Sequence, residues 1–120
     1  MNLKLKSVAD KGDPQKERLV IRVLNDTDTG EFLVMRTGFV NEAVNIGVSN
    51  TYWFPDKPVK AGDLVVLYTK SGTIKDKPLE RGGAVHFFYW GESAALWNSE
   101  NTAAVLAHAP VWESSSVEEL

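Results

Sequence analysis

The sequence predicts an all-β sandwich, on three observations. Leu64-Val65-Val66-Leu67-Tyr68 is a compact apolar strand introduced by Ala61-Gly62-Asp63. It follows Tyr52-Trp53-Phe54, which ends at Pro55. Proline cannot donate to a ladder and stops the strand. A second aromatic run, His86-Phe87-Phe88-Tyr89-Trp90-Gly91, supplies another strand. Short strands spaced by turn signals recur along the chain, as a sandwich requires.

In order, Leu3, Leu5 and Val8 alternate with Lys4 and Lys6, which suits an edge strand protected by lysines. Asp10-Lys11-Gly12-Asp13-Pro14 is a turn cluster. Leu19-Val20-Ile21-Arg22-Val23-Leu24 is a strong strand, and Phe32-Leu33-Val34-Met35-Arg36 returns, so 19–36 reads as a hairpin with a polar tip. Val44, Ile46 and Val48 alternate with Asn45, Gly47 and Ser49, implying a strand with one wet face. Residues 70–83 read as a long polar loop containing Gly72, Pro78, Gly82 and Gly83. Residues 102–107 fit strand or helix: alanine favours helix, while short length and surroundings favour strand. Val111-Trp112 adds a candidate final strand. The domain spans residues 1–113, and 114–120 reads as a frayed acidic tail.

Bulk properties set the bounds. A chain of 120 residues makes one domain and buries about two thirds of its unfolded surface. Four Trp, five Phe and three Tyr supply a dense core without metals or bridges. Cysteine is absent, which excludes disulfides, thiolate catalysis and cysteine metal sites. The first residues show no apolar signal region, and no apolar run approaches the roughly 18 residues of a spanning helix. The expectation is a cytoplasmic protein without a membrane partner.

Charge is segregated. Residues 57–81 carry Lys57, Lys60, Lys70, Lys75, Lys77 and Arg81, whereas residues 82–120 hold five glutamates and no Lys or Arg. Such segregation suits pairing of the basic loop (Lys70, Lys75, Lys77, Arg81) with an acidic edge on another copy. The plainer alternative is that both stretches are simply solvated.

Little of the sequence suggests catalysis. His86 and His108 are the only histidines, and neither has a His or Cys at ligand spacing. A satisfied structural histidine is the simpler reading for both. No phosphate loop, dinucleotide fingerprint or nucleophile elbow occurs. Asp26-Thr27-Asp28-Thr29-Gly30-Glu31 has the look of part of a calcium loop but lacks the later ligands. A hairpin turn explains it better. No metal site, catalytic residue or cofactor is expected.

The aromatic strands say more about binding. In a strand, Phe87 and Tyr89 face one side while His86, Phe88 and Trp90 face the other. One face of a sandwich sheet normally meets the core. Aromatic residues fall on both faces here, as they do at Tyr52-Trp53-Phe54, so something must cover the second. The 70–83 loop or a terminal segment, a partner chain, and a sugar or base are the three options. Aromatic residues are enriched at interface centres. Nucleic acid is disfavoured, because the aromatic and C-terminal half has no basic residue outside 57–81.

The run Phe54-Pro55 … Val59-Lys60-Ala61-Gly62-Asp63-Leu64-Val65-Val66-Leu67 resembles the lamin tail domain, an immunoglobulin-like sandwich also found in bacterial proteins. The aromatic Phe88-Tyr89-Trp90-Gly91, the turn through Asn98 and Asn101, and Ala104-Val105-Leu106 continue the likeness over about residues 50–108. The resemblance implies a non-enzymatic interaction module and chooses no ligand.

The expectation is therefore an immunoglobulin-like β-sandwich that binds protein or self-associates through Phe88, Tyr89, Trp90, Tyr52 and Trp53. Phe88→Glu or Tyr89→Glu would dissociate an oligomer without unfolding it. A carbohydrate- or small-ligand-binding module with Trp53, Trp90 or Trp97 exposed is the alternative. A small enzyme ranks last and would need a histidine within reach of a carboxylate in a pocket.

Overall fold

Two main sheets and a two-stranded ribbon enclose one core, in a computed structural model describing residues Met1–Leu120. In chain order they are β1 (Leu3–Ala9), β2 (Arg18–Val23), β3 (Thr27–Asp28), β4 (Phe32–Val40), β5 (Ala43–Val44) and β6 (Asn50–Trp53). Then come β7 (Pro58–Val59), β8 (Leu64–Tyr68), β9 (Lys75–Pro78), β10 (Ala84–Tyr89) and β11 (Thr102–His108). Two short 3-10 turns, Thr29–Glu31 and Val117–Glu119, are the only helical residues, so the fold is all-β. No helix is long and apolar enough to cross a membrane.

The first sheet has the order β1-β2-β8-β10-β9. All its pairings are antiparallel except β8 with β10, which run parallel from Leu64↔Val85 to Tyr68↔Tyr89. In the second sheet β4 is central, with β11 on one side and β6 on the other. Period-two alternation places Leu3, Leu19, Ile21, Val23, Val65, Leu67 and Phe88 inward from the first sheet, against Phe32 and Val34 from the second. Phe54, Val59, Leu96 and Trp97 fill the remaining space. β1 is the lysine-protected edge its sequence suggests. A register shift between Leu5 and Ser7 restores inward pairing for Val8, opposite Leu19, which a strict alternation from Leu3 would deny it.

Several expectations change. Residues 19–36 are not a hairpin: β2 and β4 lie in different sheets, and 25–31 carries the chain between layers. Its carboxylates hold a neighbouring segment as well as capping the local turn. Asp28 Oδ1 accepts from Gly30 N (2.8 Å) and Lys57 N (2.9 Å), and Asp26 Oδ1 accepts from Ala61 N (2.9 Å). Those contacts seat β3 on β7.

Past Val40 the chain turns at Asn41 and Glu42, both at positive φ (53° and 62°), the requirement of a type I′ hairpin. Only Ala43–Val44 then pairs. Asn45 Oδ1 accepts from Gly47 N (2.8 Å) and turns the backbone out of strand geometry. Val44, Ile46 and Val48 are all exposed, so the expected one-sided strand is not formed. Residues 102–107 lie in a strand paired with β4 over seven positions, which settles that alternative against helix. The polar 70–83 segment contains a strand, β9, that extends the sheet beyond β10. Val111 and Trp112 form no strand.

Candidate functional site

The outward face of the first sheet gathers the unusual surface residues. Alternation turns Val20 on β2, Val66 and Tyr68 on β8, and Phe87 and Tyr89 on β10 away from the core. The Tyr68 and Tyr89 rings stack at 5.4 Å and 9°, with Phe87 6.3 Å from Tyr68. Burial, then the neighbouring Tyr68, pushes the Tyr89 hydroxyl above the ordinary tyrosine range. The backbone at Gly72 passes so close that a Cβ there would lie 2.4 Å from the Tyr89 ring. The 70–83 segment therefore packs on the stripe, and Tyr68, Phe87 and Tyr89 are each half-buried.

Cations frame the stripe. Arg18 and Lys70 stand over the Tyr68 ring (5.8 and 5.1 Å), and Lys75 over Phe87 (5.9 Å). Such contacts are worth about 0.5–1 kcal/mol at exposed sites. Lys4 pairs opposite Arg22, and Lys77 opposite Val85, on the same face. Lys6 and Arg81 line the depression around Arg22 and Leu64. Lys70, Lys75 and Lys77 thus lie beside the stripe, Arg81 lies at the other end of β8 donating to Gly62 O (2.9 Å), and β1 and β2 add four more cations that sequence position hides. Two carboxylates temper this charge: Asp76 lines the depression beside the stripe, and Asp10 Oδ2 accepts from Arg18 Nη1 (2.6 Å).

The expected interface residues separate into two groups. Phe88 is fully buried, edge-on to Phe54 at 5.0 Å, so it belongs to the core and cannot touch a partner. Trp90 and Tyr52 are partly buried, packed against that core and each other at 5.8 Å. Trp97 is buried as well. Tyr89 and Trp53 point outward. Trp53 lies on the other sheet, 45% exposed, donating from Nε1 to Gly30 O (2.8 Å). Trp112, 59% exposed, packs against it at 4.8 Å and 89°. Asp28, Glu31 and Asp56 line the depression beside this pair. The rest of that outer face, including Leu33, Met35 and Val105, carries no charge.

Both histidines meet carboxylates. His86, 6% exposed, has Nε2 2.8 Å from Asp63 Oδ2 and Nδ1 3.1 Å from Asp76 Oδ1. Both contacts are hydrogen bonds at once only when both nitrogens carry protons. Asp76 also binds Lys57 Nζ. Burial works to raise the Asp63 carboxyl, but donors from Lys60 N, His86 and Ala84 N outweigh it, and the net direction is down. Lys57 first, against a smaller effect of burial, holds Asp76 down, and His86 adds to this. Asp63 is thus a clip joining the 60–63 turn to the start of β10. Enclosed on both sides, His86 offers no free nitrogen to a substrate. His108 Nε2 lies 2.9 Å from Glu31 Oε1, its ring stacked on Phe32 at 4.6 Å.

The linkage sign follows from the lowered carboxyls. A depressed folded value contributes stability above the unfolded carboxylate range, about pH 4, and loses it as pH falls through the folded value. The melting temperature should hold above about pH 5 and fall below about pH 4. Asp63→Asn should flatten that fall. Asp76, half exposed, adds less through solvent screening. An unchanged acid limb in Asp63→Asn, followed by calorimetry, would remove the assignment.

Sequence reasoning missed Glu17. Its side chain is fully buried, and Oε2 accepts from Thr69 Oγ1 (2.5 Å) and Leu96 N (2.7 Å). Oε1 accepts from Gly12 N (3.0 Å) and, at longer range, Trp97 N (3.4 Å). Nothing about an isolated Glu before a strand marks it for burial. No protein-family model matches the chain, and a search of curated proteins finds no match.

Proposed function

We propose that this chain is a non-enzymatic interaction module with the immunoglobulin-like architecture of lamin tail domains, binding an acidic protein surface through the outer face of its five-stranded sheet. One observation carries the reading: a half-buried aromatic stripe of Tyr68, Phe87 and Tyr89 lies on that face, which also carries eight of the chain's thirteen basic side chains. Aromatic and arginine side chains supply contact area and anchors at interfaces, while surrounding charge sets partner choice and encounter rate. The motif residues support the architecture. Phe54 is in the core, Gly62 turns at a φ of 93°, Asp63 clips the turn, and Val65 and Leu67 point inward. The enclosure of His86 supports a brace over a catalyst.

Polyglutamate is a suitable probe for the face. Titrated into isotope-labelled protein, it should shift amides of β2, β8, β9 and β10, leave β4 and β11 unmoved, and lose its effect at high salt. No response on the first sheet would refute the reading.

Carbohydrate or small-ligand binding is the second reading, favoured by the exposed Trp53–Trp112 pair beside its acidic depression. Tryptophan quenching across a glycan panel, abolished in Trp53→Ala, is the expected result; no quenching by any member would eliminate it.

A further inference from the structure

We propose that the basic aromatic face receives residues 113–120 of a second copy, so that copies join head to tail. The inference rests on the reading of that face as a protein-binding surface and names its occupant.

The two surfaces match in charge and in apolar content. The segment carries Glu113, Glu118 and Glu119 and no cation, opposite a face whose eight cations outnumber the nearby Asp10 and Asp76. Val117 and Leu120 are 88% and 90% exposed, apolar groups with nothing of their own chain to pack on. The Tyr68–Phe87–Tyr89 stripe offers them a surface.

Geometry favours a second copy over the same one. The root of the segment is held on the other layer, by Trp112 against Trp53 and by Ala109 N donating to Glu31 O (2.7 Å). The segment therefore sets out from the sheet opposite the basic face. Symmetric face-to-face pairing is opposed by its own charge, since two sets of cations would meet, and like charges across an interface cost several kcal/mol. What remains is a heterologous contact, which closes into rings or propagates as a chain.

Sedimentation velocity tests this on the full-length protein. Wild type should grow beyond dimer with concentration, over about 10 µM to 1 mM, and return toward monomer at high salt. Two variants should each stay monomeric, with association weakened at least about tenfold. One reverses the segment (Glu118→Lys with Glu119→Lys). The other reverses the face (Lys75→Glu with Lys77→Glu), using exposed positions so that circular dichroism stays native. Mixed together, they should associate again, because the intact segment meets the intact face and the two reversed surfaces are also opposite in charge. Segment reversal that leaves association unchanged would overturn the proposal, as would dissociation by Val105→Lys with the face variant unaffected. A monomeric wild type whose face still answers polyglutamate would overturn the occupant and spare the interaction reading. A monomer whose face answers only oligothymidylate would overturn both.

Discussion

Phe88→Ala should cost about 3–5 kcal/mol, the range for emptying a buried aromatic position, while its neighbour Phe87→Ala should cost no more than about 1 kcal/mol. The two residues are adjacent and chemically identical, and only the pleat separates them. Phe88 has no exposed surface and meets Phe54 edge to face, whereas Phe87 lies half-buried on the outer face beneath Lys75. Phe88→Glu, expected from sequence to dissociate an oligomer, should unfold the protein instead, because it buries a charge without a partner. Urea denaturation of the alanine pair settles the point. Equal losses, or the larger loss at Phe87, would invert the assigned faces of β10.

Glu17→Ala should be nearly as damaging, at about 3 kcal/mol or more. Removing the carboxylate leaves the Gly12 and Leu96 N–H groups and the Thr69 hydroxyl without their acceptor, with a weaker loss at Trp97 N. Each buried donor left unmade costs about 1–3 kcal/mol. Glu17→Gln keeps the shape and half the accepting capacity, so it should fall between the two. Because Trp97 sits beside the contact, its fluorescence should report loosening of 95–97. A Glu17→Ala protein within about 1 kcal/mol of wild type would show that water replaces the carboxylate without penalty.

The strands were easier to read from sequence than their partners. Alternation and turn residues locate β1, β2, β8 and β10, because side-chain period and proline act over a few residues. The pairing of β2 with β8, 40-odd residues apart, leaves no local trace, so Asn25 to Gly30 looked like a hairpin tip. The apolar run at Val44, Ile46 and Val48 followed the pattern of a half-buried strand, but no second sheet stands behind it. At the candidate site, Phe87 and Tyr89 could be placed on one face by parity. Which face met the core could not, since both were aromatic. The cations of β1 and β2 reach that face through sheet order alone, and Glu17 finds all but one of its donors 52 to 80 residues away.

The position of β10 has a consequence for the order in which the chain assembles. In space it sits between β8 and β9, yet it is synthesised after both. Until residues 84–89 arrive, β9 has no partner and the backbone edge of β8 stands open beside Val66. A free edge is a template for any passing strand, from this molecule or another. β9 is poorly suited to fill it wrongly: Lys75, Asp76 and Lys77 are charged, and Pro78 removes a donor. The charges that frame the mature surface also act as gatekeepers for the nascent one. Neutralising them should lower the yield of refolding at high concentration before it changes the stability of what refolds.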